Sequence, residues 1–217
     1  MSWTNYPGHD LREQLIHLGR EAVHAGLVIG SGGNLSARSP GEDSCWITAS
    51  GSWLDRLHRH AFTRIRIPDG RPLFPELPAP SVEWRLHTEI YRVRPDVTAI
   101  VHLHPQMSVL LTALGVPIRL VTSDHAYYLR EVVTVPFHPP GSEELAHAAA
   151  EQAARGANVL VLAHHGCAVL ADSVELAHRR AFNLEEAARA TYAAVMLTGD
   201  PARVPSCPPE FLARGVV

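Results

Sequence analysis

The sequence contains no lysine, since all 19 of its cationic side chains are arginine. A Schiff base with a carbonyl substrate, covalent attachment of pyridoxal phosphate and the phosphate-binding loop of P-loop enzymes each need a lysine amine at a fixed position. The absence of lysine excludes these three chemistries. If this chain makes or breaks a carbon–carbon bond beside a carbonyl group, it therefore needs a metal as the electron sink.

Cysteine is also scarce. Cys45, Cys167 and Cys207 are odd in number, far apart and without CxxC spacing, so we expect reduced thiols and no disulfide framework. The first seven residues lack the charged and apolar regions of a secretory signal, and no apolar run approaches the roughly 20 residues of a membrane helix. We expect a soluble, cytoplasmic protein with no membrane partner.

Charge and length set the remaining bounds. The net charge is −3 at pH 7, which provides no basic surface for nucleic acid. A chain of 217 residues with 46% hydrophobic residues is long enough to bury one sizeable core. We predict a single α/β domain over residues 1–217.

Several elements can be predicted from periodicity and capping residues. Asp10 should cap a helix that runs to about residue 26. The polar and apolar pieces between residues 54 and 77 indicate hairpin strands at a sheet edge. Residues 118–121 are typical of a short strand, and residues 122–128 follow it as a candidate catalytic loop.

The most informative stretch is the apolar run 98–103, because it leads into His102-Leu103-His104-Pro105. Side chains on a strand alternate between its faces, so His102 and His104 should point the same way. Two neighbouring imidazoles suit a metal such as zinc. The pattern fits two ordinary polar residues at a strand end equally well, so the metal interpretation depends on finding further ligands.

Two other segments supply candidate ligands. Helical spacing predicts a helix from about residue 83 to 94, with Glu83 in its first turn and Ser81 or the preceding residue as its cap. The apolar strand 159–163 ends in His164-His165-Gly166. Three elements thus end in histidine or glutamate, as a metal site built from strand termini requires.

Two further histidine patterns support other interpretations. His58 and His60 repeat the His-x-His spacing, but they lie among arginines and are typical of a solvated surface. His165 and Cys167 could form a nucleophilic thiolate–imidazole pair. No neighbouring residue in the sequence is suited to orient that base, which disfavours the pair.

Five motifs together resemble the class II aldolase/adducin family. They are Gly-Gly-Asn-Leu-Ser (32–36), Ile-Thr-Ala-Ser-Gly (47–51), Pro-Ser-x-Glu-Trp (80–84), His-x-His-Pro (102–105) and His-His-Gly (164–166). Each motif is weak alone, but they occur in the family order and cover most of the chain. The resemblance implies a three-layer α/β/α sandwich with a central, largely antiparallel sheet. It also implies a homotetramer with its sites at subunit contacts.

The resemblance further implies roles for the site residues. Glu83 is the general acid/base, and we expect burial beside Trp84 to raise its pKa. The implied metal is Zn²⁺, with Mn²⁺, Co²⁺ or Fe²⁺ as alternatives. The implied metal ligands are His102, His104 and His165. The implied phosphate-binding residues are Gly33, Asn34, Ser50, Gly51 and Ser81.

The implied reaction is reversible aldol cleavage of a ketose 1-phosphate to dihydroxyacetone phosphate and an aldehyde, through a metal-stabilised enediolate. The family commonly has two serines before the glutamate, whereas this chain has Ser81-Val82, so one hydroxyl donor to phosphate is missing. Decarboxylation or epimerisation of an oxo acid, a hydroxyaromatic acid or a sugar phosphate is the alternative. A non-catalytic, adducin-like assembly domain is a third. The second acid/base stays open between residues 122–128 and the C-terminal tail.

Overall fold

The computed structural model describes residue 6, residues 8–208 and residues 210–213. The first five residues, which lack a secretory pattern, and residues 214–217 of the predicted domain lie outside this part. The strands are β1 (Asn34–Ala37), β2 (Ser44–Thr48), β3 (Phe62–Arg66), β4 (Ala99–Leu103), β5 (Val133–Val135), β6 (Val159–Leu162) and β7 (Gly166–Ala171). The helices are α1 (Leu11–His24), α2 (Trp84–Val93), α3 (Gln106–Ala113), α4 (Ser123–Leu129), α5 (Glu143–Ala154), α6 (Val174–Thr198) and α7 (Glu210–Ala213). Within the described ranges, no helix combines the length and apolarity needed to cross a membrane.

The strands form one seven-stranded sheet in the order β3-β2-β1-β4-β7-β6-β5. Neighbouring strands are antiparallel except for β5 and β6, which are parallel. The central, largely antiparallel sheet is therefore confirmed, with one parallel pair at its edge. Strand β4 lies in the middle of the sheet, between β1 and β7.

Helices cover both faces of the sheet, so the three-layer sandwich is also confirmed. On one face, α1 and α6 pack on a core that includes Val101 and Val169. On the other face, α2 and α5 pack on a core that includes Ile100 and Leu170. Successive side chains of β4 and β7 thus enter opposite cores. This explains why these strands are apolar apart from His102.

Two predicted elements between β4 and β5 are wrong. Residues 118–121 are not a strand, because their backbone groups bond outside the sheet: Arg119 N donates to Thr191 Oγ1 of α6 at 2.9 Å, and Leu120 O accepts from Cys207 N at 2.7 Å. Residues 123–129 form helix α4 and not a loop. Thr122 caps that helix in a reciprocal capping box with His125, and this local signal was present in the sequence.

The segment between residues 54 and 77 contains one strand, β3, which is the predicted edge strand and pairs with β2. Residues 54–56 form a short 3₁₀ turn instead of a strand. Helix α1 begins after Asp10, whose side chain accepts from Arg12 N at 2.9 Å. The predicted N-cap is therefore confirmed.

A partly buried histidine of α6 should make the fold sensitive to acid. Burial is the main factor that lowers the pKa of His178, to about 4, and His17 adds to the effect. Since the unfolded chain takes up this proton near pH 6.5, stability should be greatest above that pH. It should fall by up to about 3 kcal/mol as the pH drops to about 4.

The variant His178→Gln should remove this part of the pH dependence. Urea unfolding of the wild type and the variant between pH 4 and 8 measures it, and His58→Gln at the exposed surface is the matched control. Parallel stability profiles for the wild type and His178→Gln would contradict the assignment.

Candidate active site

Three chain segments meet at one end of the sheet because of the strand register. Leu103, the last residue of β4, pairs with Cys167 near the start of β7, so His165 in the preceding turn lies just beyond the end of β4. His102 pairs with Asn34, the first residue of β1. Antiparallel pairing thus places the end of β4 beside the starts of both neighbouring strands.

Glu83 reaches the same place from α2. The chain before this helix is held against β2, since Ser81 N donates to Thr48 O at 3.0 Å. Glu83 is itself the N-cap residue of α2, and its N–H donates to Ser81 Oγ at 3.3 Å. The prediction placed the cap at Ser81 or the residue before it, so the helix begins at least two positions later than predicted.

The four predicted metal-site side chains form one compact cluster. One ligand atom from each of Glu83, His102, His104 and His165 lies within 4.8 Å of the others. The Nε2 atoms of His102 and His104 are 3.0 Å apart, so the two rings do point the same way. The Glu83 carboxylate is 3.0 Å from His102 Nε2 through Oε2 and 3.3 Å from His165 Nε2 through Oε1.

The protons of this cluster indicate a place for a cation. His102 Nδ1 lies 2.9 Å from the backbone carbonyl oxygen of Cys167, which can only accept, so Nδ1 carries the proton. Nε2, the other ring nitrogen, faces the Glu83 carboxylate. The buried Oε1 of Glu83 has no hydrogen-bond partner among the described residues. A proton on Nε2 or a metal cation must lie between two such acceptors, and three imidazoles with one carboxylate fit Zn²⁺ or a similar ion.

The expectation of a raised pKa at Glu83 is wrong. Burial does raise the pKa of this carboxyl group, but the hydrogen bond from His102 and the charges of His102 and His165 outweigh it. The pKa falls to about 2. The ring of Trp84 packs against Gly70, in the segment after β3. Glu83 is therefore a carboxylate at neutral pH and can accept a proton.

Two of the predicted phosphate-binding residues, Asn34 and Ser81, contact Glu83. Asn34 starts β1 and Gly33 directly precedes it, and Leu35 N donates to Thr48 Oγ1 at the end of β2. Ser50 and Gly51 are exposed in the turn after β2. Ser50 N donates to Ala79 O at 2.9 Å, which ties this turn to the segment that carries Ser81. A role for these residues in anion binding stays a prediction.

Asn34 has contacts that the sequence did not indicate. It is only 4% exposed, and its Nδ2 donates to Glu83 Oε2 at 2.9 Å. Its Oδ1 lies 2.5 Å from His87 Nε2. Both ends of the side-chain amide are therefore engaged inside the protein.

Two glycines allow the histidines to pack so closely. A Cβ atom on Gly166 would lie 2.4 Å from the carbonyl oxygen of Leu103 and 2.6 Å from Cδ2 of His104. A Cβ atom on Gly33 would lie 2.4 Å from the carbonyl oxygen of His102, and its φ of +78° also favours glycine. The glycines of the Gly-Gly-Asn and His-His-Gly motifs thus have a steric role at the cluster.

Glu185 is a second residue that sequence reasoning missed. It lies on α6, is 2% exposed, and accepts from the backbone N–H groups of Met107 and Ser108 at 3.0 Å each. These are free donors in the first turn of α3. Glu185 therefore fixes the chain directly after His104. The sequence alone does not show this contact, because Glu185 lies far along the chain from Met107 and Ser108.

The competing histidine patterns do not form a site. Burial raises the pKa of the Cys167 thiol to about 12, so Cys167 is not a ready nucleophile for His165. His58 and His60 are exposed, as predicted. Among the hydrogen bonds and ion pairs of the described residues, none joins helix α4 to Glu83 or to the three histidines, so the second acid/base stays open.

Two curated relatives and one solved structure resemble this chain. An L-fuculose phosphate aldolase from Methanocaldococcus jannaschii is 31% identical over 180 residues, which cover 83% of this chain and 94% of the relative. A 3-oxo-tetronate 4-phosphate decarboxylase from Escherichia coli (strain K12) is 32% identical and covers 82% and 84%. A solved L-fuculose 1-phosphate aldolase superposes with a TM-score of 0.81 at 26% identity, over 97% of this chain and 96% of that chain.

Residues 13–192 match the model of one family, described as the class II aldolase and adducin N-terminal domain. The match includes all five sequence motifs and every residue of the glutamate–histidine cluster. It extends from the first turn of α1 into α6. This chain therefore belongs to the class II aldolase and adducin N-terminal domain family.

Proposed function

We propose that this chain is a metal-dependent lyase that reversibly cleaves a small ketose 1-phosphate into dihydroxyacetone phosphate and an aldehyde. The main support is the cluster of Glu83 with His102, His104 and His165, in which a buried carboxylate lies 3.0 Å from the Nε2 atom of His102. The absence of lysine adds support, because a lysine-free aldolase cannot form a Schiff base.

His102, His104 and His165 would hold the ion, and the donor set favours zinc over Mn²⁺, Co²⁺ or Fe²⁺. When bound, such an ion supplies the Lewis acid that polarises the substrate carbonyl and accepts electron density as the carbon–carbon bond breaks. Buried in the sheet, His102 keeps its ring fixed through the carbonyl group of Cys167. That bond sets its tautomer so that Nε2 is available as a ligand.

Glu83 would act as the general acid/base. Its low pKa makes it a proton acceptor at neutral pH, and its Oε1 is free of hydrogen bonds within the described part of the chain. Oε2 is held by Asn34, so the carboxylate keeps one fixed oxygen and one available oxygen. Oε1 can take a proton from the substrate and return it to the carbon beside the carbonyl group, after the carbon–carbon bond has broken.

The substrate phosphate would lie along the glycine and serine segments, against Gly33, Ser50, Gly51 and Ser81. The side-chain amide of Asn34 is already held by Glu83 and His87. The N–H groups of glycine-rich turns suit an anion. Val82 is 70% exposed beside Glu83, where the family commonly has a serine. We therefore expect weaker phosphate binding than a serine pair would provide.

We also propose a cytoplasmic homotetramer. Leu110 and Leu114 of α3 are 45% and 68% exposed, and Met196 and Leu197 near the end of α6 are 67% and 87% exposed. Large exposed apolar side chains are typical of surfaces that bind another protein. A neighbouring subunit would then supply the second acid/base, since the hydrogen bonds and ion pairs of the described residues place none at the cluster.

Decarboxylation of a phosphorylated oxo acid is the second candidate. It is favoured by the 32% identity to the E. coli decarboxylase and by Val82 in the predicted phosphate-binding segment. Both reactions need an electron sink at the substrate carbonyl group. Both also need a proton donor to the adjacent carbon, so the cluster alone does not separate them.

Product assays of the metal-loaded protein separate the two reactions. We expect condensation of dihydroxyacetone phosphate with short aldehydes and no release of carbon dioxide from phosphorylated oxo acids. The His102→Ala variant controls for contaminating aldolase. Release of carbon dioxide without aldol turnover would replace the first proposal with the second.

A further inference from the structure

A chain of buried hydrogen bonds connects Glu83 to the interior of the protein. Beyond Asn34, His87 Nδ1 lies 2.6 Å from Ser36 Oγ, which lies 2.9 Å from the hydroxyl of Tyr91. Asn34, Ser36, His87 and Tyr91 are between 0% and 4% exposed. Water therefore does not compete for these bonds, and each proton must be shared among the partners present.

The direction of the chain follows from its two ends. Carboxylate oxygens only accept, so Asn34 must present its NH₂ group to Glu83 and its Oδ1 to His87. His87 must then donate from Nε2. Burial lowers the pKa of His87 to about 3, so the ring is neutral and its Nδ1 accepts from Ser36. Ser36 Oγ in turn accepts from Tyr91.

The Glu83 carboxylate and His87 together fix which way the Asn34 amide points. If His87 could not donate, the buried Oδ1 of Asn34 would lose its partner, and the amide would hold Glu83 less firmly. The helix makes this arrangement possible, because Glu83, His87 and Tyr91 are spaced four residues apart and lie on one face of α2. Thus α2 supplies both the carboxylate and the residue that controls its partner.

We propose that His87 is a positioning residue, which holds Asn34 in the orientation that keeps Glu83 fixed for proton transfer. It touches neither the substrate site nor the three histidines. This inference rests on the proposed function of Glu83. The orientation of His87 can nevertheless be tested without any enzyme activity.

Two substitutions of His87 separate positioning from packing. Leucine fills the space but cannot donate, whereas glutamine can place an N–H group where Nε2 lies. We expect His87→Leu to lower kcat by about 10–100-fold, with KM changed by less than about threefold. We expect His87→Gln to recover most of this loss. Bound metal should stay at the wild-type level in both.

A matched control comes from the next residue of the same helix. Thr88 is buried, and its hydroxyl donates to the backbone oxygen of Arg85 at 3.3 Å, outside the hydrogen-bond chain. Thr88→Val should keep the wild-type kcat. In an Asn34→Ala background, His87→Leu should lower kcat by less than about threefold, because a residue that acts through Asn34 has nothing left to hold.

Nitrogen-15 NMR of histidine-labelled metal-free protein tests the chain directly. The His87 signal, assigned by its loss in His87→Gln, should show a proton on Nε2 and none on Nδ1. A proton on Nδ1 would overturn the proposal, as would equal kcat losses in the leucine and glutamine variants. If wild type shows this tautomer but lacks lyase activity, the proposed function fails while the assigned orientation of His87 stands.

Discussion

Replacing Glu83 by glutamine should lower kcat by roughly 10²–10⁴-fold. The amide oxygen of glutamine can still accept from Asn34, so the side chain should keep its position. The glutamine side chain cannot accept a proton, so the substitution removes the acid/base step. Steady-state kinetics of aldol cleavage, with metal content measured on the same samples, test this expectation.

The matched control is Glu89→Gln, which removes one negative charge from the same helix. Glu89 pairs with Arg92 on the surface of α2 and lies outside the cluster. We expect wild-type turnover and metal content in this variant. Full turnover in Glu83→Gln would refute the acid/base role. Loss of the metal from Glu83→Gln would instead make Glu83 chiefly a ligand.

The sequence indicated the segments that form the cluster, because each marks the end of a regular element, and the family resemblance selected Glu83, His102, His104 and His165 within them. His102 and His104 follow an apolar run, and His165 follows another. Antiparallel pairing of β4 with β7 then brings the two ends together. Local patterns also identified the cap Asp10. These signals depend on period and position along the chain, which a single sequence displays directly.

Features that depend on contacts between distant segments were not predictable. Residues 118–121 have the composition of a strand, yet their backbone groups bond to Thr191 and Cys207. The pKa of Glu83 is set by His102 and His165, which lie far away in sequence. The family resemblance implied that Asn34 binds an anion, but its side-chain amide contacts Glu83 and His87. Burial and partner choice, which arise only on folding, decide all three.

The proposal of His165 over His164 as the third metal ligand rests on the turn between β6 and β7. His164 has a left-handed backbone, with φ of 58°, and its exposed ring lies edge-on to Phe137 at 6.2 Å between centroids. His165 N donates to Leu162 O at 3.0 Å, which closes the turn. The imidazole of His165 is thereby directed at Glu83, within 3.3 Å.

The variant His165→Ala should consequently lose its metal, with an affinity reduced by about 10²-fold or more, since even residues outside the ligand set cost 10–100-fold. His164→Ala is the matched control and should retain about one ion per chain. Elemental mass spectrometry of both variants beside wild type measures this. The reverse pattern would make His164 the ligand. Absence of metal from wild type, even after incubation with zinc, manganese or cobalt, would remove the only electron sink open to a lysine-free aldolase, and the non-catalytic assembly domain would then be the better interpretation.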